Sequence, residues 1–181
     1  QALFFDGMER RVPIGLSRDG EPVFANLDFL DGSRGAHVNI SGISGVATKT
    51  SYATFLLHSL FTSGALGGDA ANTHALVFNV KGEDLLFLDQ PNAKLKDADR
   101  AAYAKLGLPA EAFGSAQFLA PVRKGSAERL PATGSRGAGV TAFFWTIREV
   151  VQERLLRFLF AEVDDTASQL SFVVDRIEAK L

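Results

Sequence analysis

The stretch that decides the fold is "ISGISGVATKTS", residues 40–51. Gly42 and Gly45 lead to Lys49 and Thr50, an order that is typical of a loop that binds phosphate. In such a loop a strand stops, glycines permit a tight arc, and the N–H groups of the arc and of the following helix point at the phosphates. The lysine reaches the β- and γ-phosphates, and the Ser or Thr hydroxyl holds Mg²⁺.

The spelling of this loop departs from the standard pattern G-x-x-x-x-G-K-[ST]. Gly42 lies seven residues before Lys49 rather than six, and Thr48 stands where the pattern has its second glycine. A β-branched residue does not readily adopt the positive φ that glycine permits. The residues alone therefore leave two alternatives, a phosphate loop with an altered path or an ordinary glycine turn that opens a helix.

The flanking segments favour a strand-loop-helix unit. "AHVNIS" (36–41) is a short β-prone run, and "TKTSYATFLLHSLFTS" (48–63) has apolar residues at helical spacing. "HALVFNV" (74–80) is a continuous apolar run, which is typical of a strand buried on both faces in a parallel sheet. Two strands around one helix predict a βαβ unit with a right-handed crossover.

Other elements surround this unit. The Asp19-Gly20 pair between residues 12–17 and 22–30 predicts a β-hairpin. A short helix is predicted over residues 97–107 and a third strand over residues 116–121. The fold class predicted is α/β, with a parallel sheet preceded by the hairpin.

The C-terminal part is predicted to be a helical hairpin. Residues 141–161 carry an apolar stripe at helical spacing, Asp164, Asp165 and Thr166 supply caps, and a last helix runs to Leu181. The predicted domains are an entry segment (1–35), an α/β core (36–135) and the helical hairpin (136–181).

Composition narrows the class of protein. The 181 residues include no cysteine, which excludes a disulfide framework and zinc sites built on thiolates. The formal net charge of −2 gives no global attraction to nucleic acid, although it leaves room for a local basic stripe. No apolar run approaches the length of a membrane span, and no secretory pattern opens the chain. We therefore expect a cytoplasmic protein without membrane association.

Two elements resemble the HerA-FtsK superfamily of P-loop ATPases. "HVNISG" (37–42) is similar to the His-containing first strand that enters the phosphate loop of HerA-like proteins, here preceded by a hairpin as in that family. "ALVFNVKGEDL" (75–85) is similar to a strand that ends in D-P-K-G-E, with Asn79 in place of the Asp and Val80 in place of the Pro. The resemblance covers roughly residues 10–90 and weakens beyond them.

The resemblance implies a RecA-like ATPase that forms a ring, commonly a hexamer, and moves duplex DNA or another polymer. It implies ATP and Mg²⁺ as ligands, with Thr50 on the metal and Glu83 at the strand end as the catalytic carboxylate that orients water. Asp84 is a second candidate, and the alternative for both acids is a solvated turn. A NurA-type nuclease often accompanies HerA proteins and is a further expected partner. The predicted nucleotide-binding residues are Gly42, Gly45, Thr48, Lys49, Thr50 and Ser51.

The second acidic strand end that an ATPase core needs is missing. "LLFLDQ" (85–90) follows the Glu83 strand too closely to supply it, and "LRFLFAEVDD" (156–165) is predicted to be helical. Either the chain is part of a longer protein, or another chain completes the site, or the site is degenerate. The last case predicts a pseudo-ATPase that acts as an assembly or scaffold subunit.

Three arginines, Arg148, Arg154 and Arg157, are predicted to lie along one long helix. They could contact DNA phosphates or reach a neighbouring subunit's nucleotide, although exposed helix arginines usually pair with nearby acids on a solvated face.

Overall fold

The structure is a computed structural model that describes residues 7–35, 37–43, 48–80, 82–159 and 169–180. These residues contain both helices and strands, so the predicted α/β class is confirmed. The chain divides into two compact units, Gln1–Ala116 and Gln117–Leu181.

The first unit opens with the β-hairpin that the Asp19-Gly20 pair predicts. Strand β1 (Arg11–Leu16) pairs antiparallel with strand β2 (Pro22–Asn26). Gly20 has a φ of +79°, a conformation that glycine adopts without the steric cost of a Cβ. The second strand is shorter than predicted because a single 3₁₀ turn, Leu27–Phe29, follows it directly.

Helix α1 (Thr48–Thr62) is the main helix of this unit and lies close to the predicted range. Short 3₁₀ helices follow at Gly67–Asn72 and Asp84–Phe87. Helix α2 (Asp97–Lys105) follows. Gly107, two residues beyond its end, has a φ of +69°.

The hairpin packs against α1 through a small apolar cluster. Val12, Leu27 and Leu66 are buried together, and Leu60 and Phe61 of α1 pack against them. Such burial contributes roughly 1.5–3 kcal/mol for each large apolar side chain. This cluster therefore fixes where α1 lies relative to β1.

Two hydrogen bonds connect the same helix face to β1. The Ser59 hydroxyl is fully buried and donates to the Pro13 carbonyl at 2.5 Å. The Tyr52 hydroxyl, two turns earlier on α1, donates to the Ile14 carbonyl at 2.9 Å. Because they act at two points along the helix, these bonds set its direction as well as its position.

The strands predicted on either side of α1 are not formed in the described residues. Residues 37–43 and 74–80 form neither helix nor strand, and no backbone hydrogen bond joins either segment to another described residue. Leu76, Phe78 and Val80 are 77%, 81% and 92% exposed. A strand needs a neighbouring strand to receive its hydrogen bonds, and none lies beside these segments in the part described. The described chain therefore does not show a RecA-like core.

The second unit contains the third predicted strand and a strand that was not predicted. Strand β3 (Phe118–Pro121) pairs in parallel with strand β4 (Val140–Phe143), with Phe118 opposite Val140 and Pro121 opposite Phe143. Helices α3 (Ile147–Gln152), α4 (Leu156–Leu159) and α5 (Gln169–Glu178) follow, and α4 contacts α5.

The prediction of one helix starting at Thr141 is wrong. Residues 140–143 belong to β4, and α3 starts only after Thr146, whose hydroxyl accepts a hydrogen bond from the Glu149 N–H at 3.2 Å. Arg154 has a φ of +55°, and the Leu155 N–H donates to the Val150 carbonyl at 2.8 Å, which ends the helix. The predicted apolar stripe is thus interrupted twice. The caps predicted at residues 164–166 lie outside the described residues.

Replacing a core residue of the hairpin tests this packing. Leu27→Ala is expected to lower the free energy of unfolding by about 2–5 kcal/mol, because Leu27 is buried in the cluster that joins the hairpin to α1. Phe29→Ala in the same 3₁₀ turn is the control, and it should cost about 1 kcal/mol or less because Phe29 is exposed. Urea unfolding of both variants measures the difference, and equal losses would contradict the assignment of the core.

Candidate functional site

The first turn of α1 presents four of the predicted nucleotide-binding residues together. Thr48, Lys49, Thr50 and Ser51 are all exposed, and no acidic residue lies in this turn. The first N–H groups of a helix have no partner inside the helix, and its dipole favours a negative charge at this end. The turn therefore combines backbone donors, two hydroxyl groups beside the lysine, and a cation, without a carboxylate to oppose an anion.

Gly42 lies against this turn. A Cβ placed on Gly42 would come within 3.2 Å of Lys49 Cγ and 4.0 Å of Thr48 Oγ1. Gly42 therefore lies close to the start of the helix. Glycine at this position leaves room for the lysine stem, which a larger residue would displace.

The structure thus brings together five of the six predicted nucleotide-binding residues. The sixth, Gly45, lies outside the described residues, and its role stays a prediction.

The side chain of Lys49 is suited to bind a phosphate, and that of Thr50 is suited to bind a metal cation. Within the described residues the Lys49 ammonium has no ion-pair partner, and the Thr50 hydroxyl makes no hydrogen bond. No group of three or more His, Asp and Glu side chains among them is arranged to hold a metal. Mg²⁺ commonly binds through one or two protein oxygens together with phosphates and water, and a single free hydroxyl fits that mode.

Glu83 and Asp84 lie in a hydrogen-bonded turn rather than at the end of a strand. The Glu83 carbonyl accepts the Leu86 N–H at 3.0 Å, and Glu83 is half-buried while Asp84 is exposed. The Asn79 amide donates to the Gly82 carbonyl at 3.0 Å. Asn79, which stands where the resembling family has an acid, therefore stabilises this turn through its NH₂ group, which a carboxylate lacks.

His58 belongs to the core behind the site. It is buried on α1, and its ring contacts Tyr103 and Phe113 edge-on at centroid distances of 5.8 and 5.5 Å. Burial lowers the pKa of His58, and the nearby Glu111 opposes that change through its backbone and its charge. The side chain packs beside α1, and it lies more than two helical turns beyond Lys49.

The three arginines predicted on one helix are not on one helix. Arg148 is exposed on α3, whereas Arg154 lies in the turn between α3 and α4. Glu149, the expected partner of an arginine, instead accepts hydrogen bonds from the Thr146 N–H and hydroxyl, both at 2.7 Å. These bonds lower the pKa of Glu149.

The sequence reasoning missed one cluster in the second unit. Trp145 is 60% exposed beside Phe144, over whose ring Arg129 lies at 4.5 Å from the centroid. The concentration of Arg and Lys in residues 122–139, just before these aromatic residues, is the signal that could have indicated it.

Comparison with known proteins does not identify a family for this chain. A scan against protein-family models matches none, and a search of curated proteins finds no match. The likeness to HerA-like ATPases therefore depends on the motifs in residues 10–90 alone. Of the helices in the described ranges, none has the length and apolar character needed to span a bilayer.

The low pKa of His58 predicts how stability depends on pH. Above the unfolded pKa of 6.5 both states carry a neutral His58, whereas below it the unfolded state binds a proton that the folded state resists. The free energy of unfolding should therefore fall as the pH drops below about 6.5. Urea unfolding between pH 7.5 and 5.5 measures this loss, which should shrink in His58→Phe and persist in the control His74→Asn. An identical loss in His58→Phe would contradict the prediction.

Proposed function

We propose that this chain binds ATP with Mg²⁺ at the loop of residues 40–51 and serves as an ATPase core of HerA-like type. The observation that carries the proposal is the close approach of Gly42 to the first turn of α1, which places Lys49 and Thr50 at a helix N-terminus without acidic residues. A glycine turn with a purely structural role does not require a lysine and two hydroxyl groups at the start of the helix, nor the absence of acidic residues there.

Each residue has a role that follows from its chemistry. Lys49 neutralises charge on the β- and γ-phosphates, and the Thr50 hydroxyl supplies a protein oxygen to Mg²⁺. Thr48 and Ser51 contribute the N–H groups of the first turn. Glu83 is the proposed carboxylate that orients water for in-line attack on the γ-phosphate, a role for which it must approach the loop.

The finer fold that we propose is a RecA-like parallel sheet built on residues 36–41 and 74–80. The support comes from residues 74–80, whose backbone has no hydrogen-bond partner among the described residues and whose apolar side chains face solvent. A segment that is apolar at consecutive positions is suited to a strand covered on both faces. Further strands beside residues 74–80 would remove both the exposed apolar surface and the unpaired backbone groups.

The wider assembly follows from the family resemblance. We propose a homo-oligomeric ring in the cytoplasm that moves duplex DNA or a related polymer, with a NurA-type nuclease as a candidate protein partner. The motifs in residues 37–42 and 75–85 support this part of the proposal, because it is in HerA-like proteins that the two occur in this order.

A pseudo-ATPase scaffold is the second candidate. Asn79 favours it, because this residue uses its amide to hold the Gly82 turn where the resembling family has an acid. Thr48 at the start of α1 favours it as well, since the standard loop has glycine there. In this case the loop keeps its topology and binds nucleotide without turnover, or does not bind it.

Titration with Mg²⁺-ATP tests the proposed nucleotide site. Calorimetry should show binding to the wild type that weakens by about tenfold or more in Lys49→Ala, because a charge-assisted contact to phosphate is lost. Lys94→Ala removes another exposed lysine of the first unit and should leave the affinity unchanged. Equal affinities of the wild type and Lys49→Ala, or no binding at all, would contradict the nucleotide site.

Phosphate release separates enzyme from scaffold. Glu83→Gln should retain Mg²⁺-ATP binding and lose turnover, because an amide cannot accept a proton from water as a carboxylate does. Binding by the wild type without phosphate release, with duplex DNA present, would contradict the ATPase and support the scaffold.

A further inference from the structure

A locally basic segment connects the two strands of the second unit. Residues 122–139 carry four basic side chains and one acid, Glu128, in a chain whose formal net charge is −2. The basic residues are Arg123, Lys124, Arg129 and Arg136. Phosphate groups are attracted to such a concentration of positive charge even when the whole protein is slightly acidic.

Hydrogen bonds give this segment a defined course. The Arg123 N–H donates to the Leu130 carbonyl at 2.7 Å, and the Leu130 N–H donates to the Ser126 hydroxyl at 3.1 Å. The Arg123 guanidinium donates to the Thr133 carbonyl at 2.7 Å. Arg129 lies within this turn, so its position is set before any ligand arrives, which reduces the entropy lost on binding.

Exposed aromatic rings lie beside the basic segment. Phe144 and Trp145 follow β4 directly and are 44% and 60% exposed. The Arg129 guanidinium lies 4.5 Å from the centre of the Phe144 ring, and the Arg136 guanidinium lies 4.9 Å from that of Phe118. Arg129, Phe144 and Trp145 are called the arginine-aromatic surface below.

We propose that the arginine-aromatic surface binds single-stranded nucleic acid. Bases stack on exposed aromatic rings and on guanidinium planes, and such stacking tolerates any base because every base has a π-face. Arg129 lies over an aromatic ring and carries a charge for the phosphate backbone, so it joins both kinds of contact at one place. A partner protein with an apolar surface would match the rings but would offer no negative charge to the Arg129 guanidinium.

This inference goes beyond the proposed nucleotide site and does not depend on it. The arginine-aromatic surface belongs to the unit Gln117–Leu181, whereas the loop and α1 belong to the unit Gln1–Ala116. A single strand is also a different ligand from the duplex that the family resemblance implies. Lys49→Ala should therefore bind single strands as the wild type does.

Trp145 provides a direct measurement because it is the only tryptophan of the chain. Titration with oligothymidylate should quench its fluorescence as thymine stacks on the indole, and free thymidine monophosphate at the same nucleotide concentration should not. Quenching by the oligonucleotide alone supports the proposal. No quenching, or equal quenching by the monophosphate, overturns it.

Variants test the contributions of charge and stacking. Arg129→Ala should weaken binding of a labelled oligothymidylate, measured by anisotropy, and should reduce the slope of log K against log salt by about 0.7, as expected for one lost phosphate contact. Arg100→Ala, an exposed arginine of the first unit, is the control and should change neither quantity. Equal effects of the two variants would overturn the proposed surface.

Substitution of the tryptophan completes the test. Trp145→Ala should weaken binding of the labelled strand about tenfold, whereas Trp145→Phe keeps an aromatic face and should retain most of the affinity. The same fold-loss in both variants, or none in either, would contradict stacking. Equal affinity for a duplex of the same length would contradict a single-strand site, since paired bases do not offer their faces.

Discussion

The buried hydrogen bond from Ser59 to the Pro13 carbonyl is the contact on which the rest of the first unit depends. Together with the Tyr52–Ile14 bond, it fixes α1 along β1, and the cluster of Val12, Leu27 and Leu66 closes the space between them. The position of the helix determines where its first turn lies. The proposed phosphate site at that turn would therefore be positioned by the hairpin, which contributes none of the proposed binding residues.

Helix α1 lies in sequence between two segments whose backbone groups lack hydrogen-bond partners in the described chain. Residues 37–43 precede its N-terminal turn, and residues 74–80 come after it, and both segments lack backbone partners among the described residues. Unpaired backbone groups lose little free energy when water hydrates them. A contiguous set of exposed apolar side chains, in contrast, indicates a surface that binds another segment or protein. The proposed parallel sheet accounts for both the sequence pattern and the exposure, and it would bring the turn at Glu83 to the sheet edge where the loop lies.

Local signals predicted the elements that local interactions decide. The Asp19-Gly20 pair identified the hairpin, and helical spacing identified α1, because turn chemistry and amphipathic pattern act within a few residues. Strand pairing could not be predicted in the same way, because it depends on segments far apart in sequence. The prediction of a helix from Thr141 was wrong for a related reason, because residues 140–143 pair with the distant strand β3. Arg154 then follows α3 with a positive φ, a conformation that Gly or Asn usually adopts after a helix, so the sequence did not indicate this end.

The central proposal is that residues 74–80 pair with further strands and become a buried strand beside the proposed phosphate loop, and hydrogen exchange tests this proposal most directly. Amides in a paired strand exchange slowly, whereas those of an unpaired segment exchange at nearly the intrinsic rate. With Mg²⁺-ATP present, the account predicts protection of residues 75–80 together with the first turn of α1. Exchange of residues 75–80 at the intrinsic peptide rate, both with and without Mg²⁺-ATP, would contradict it.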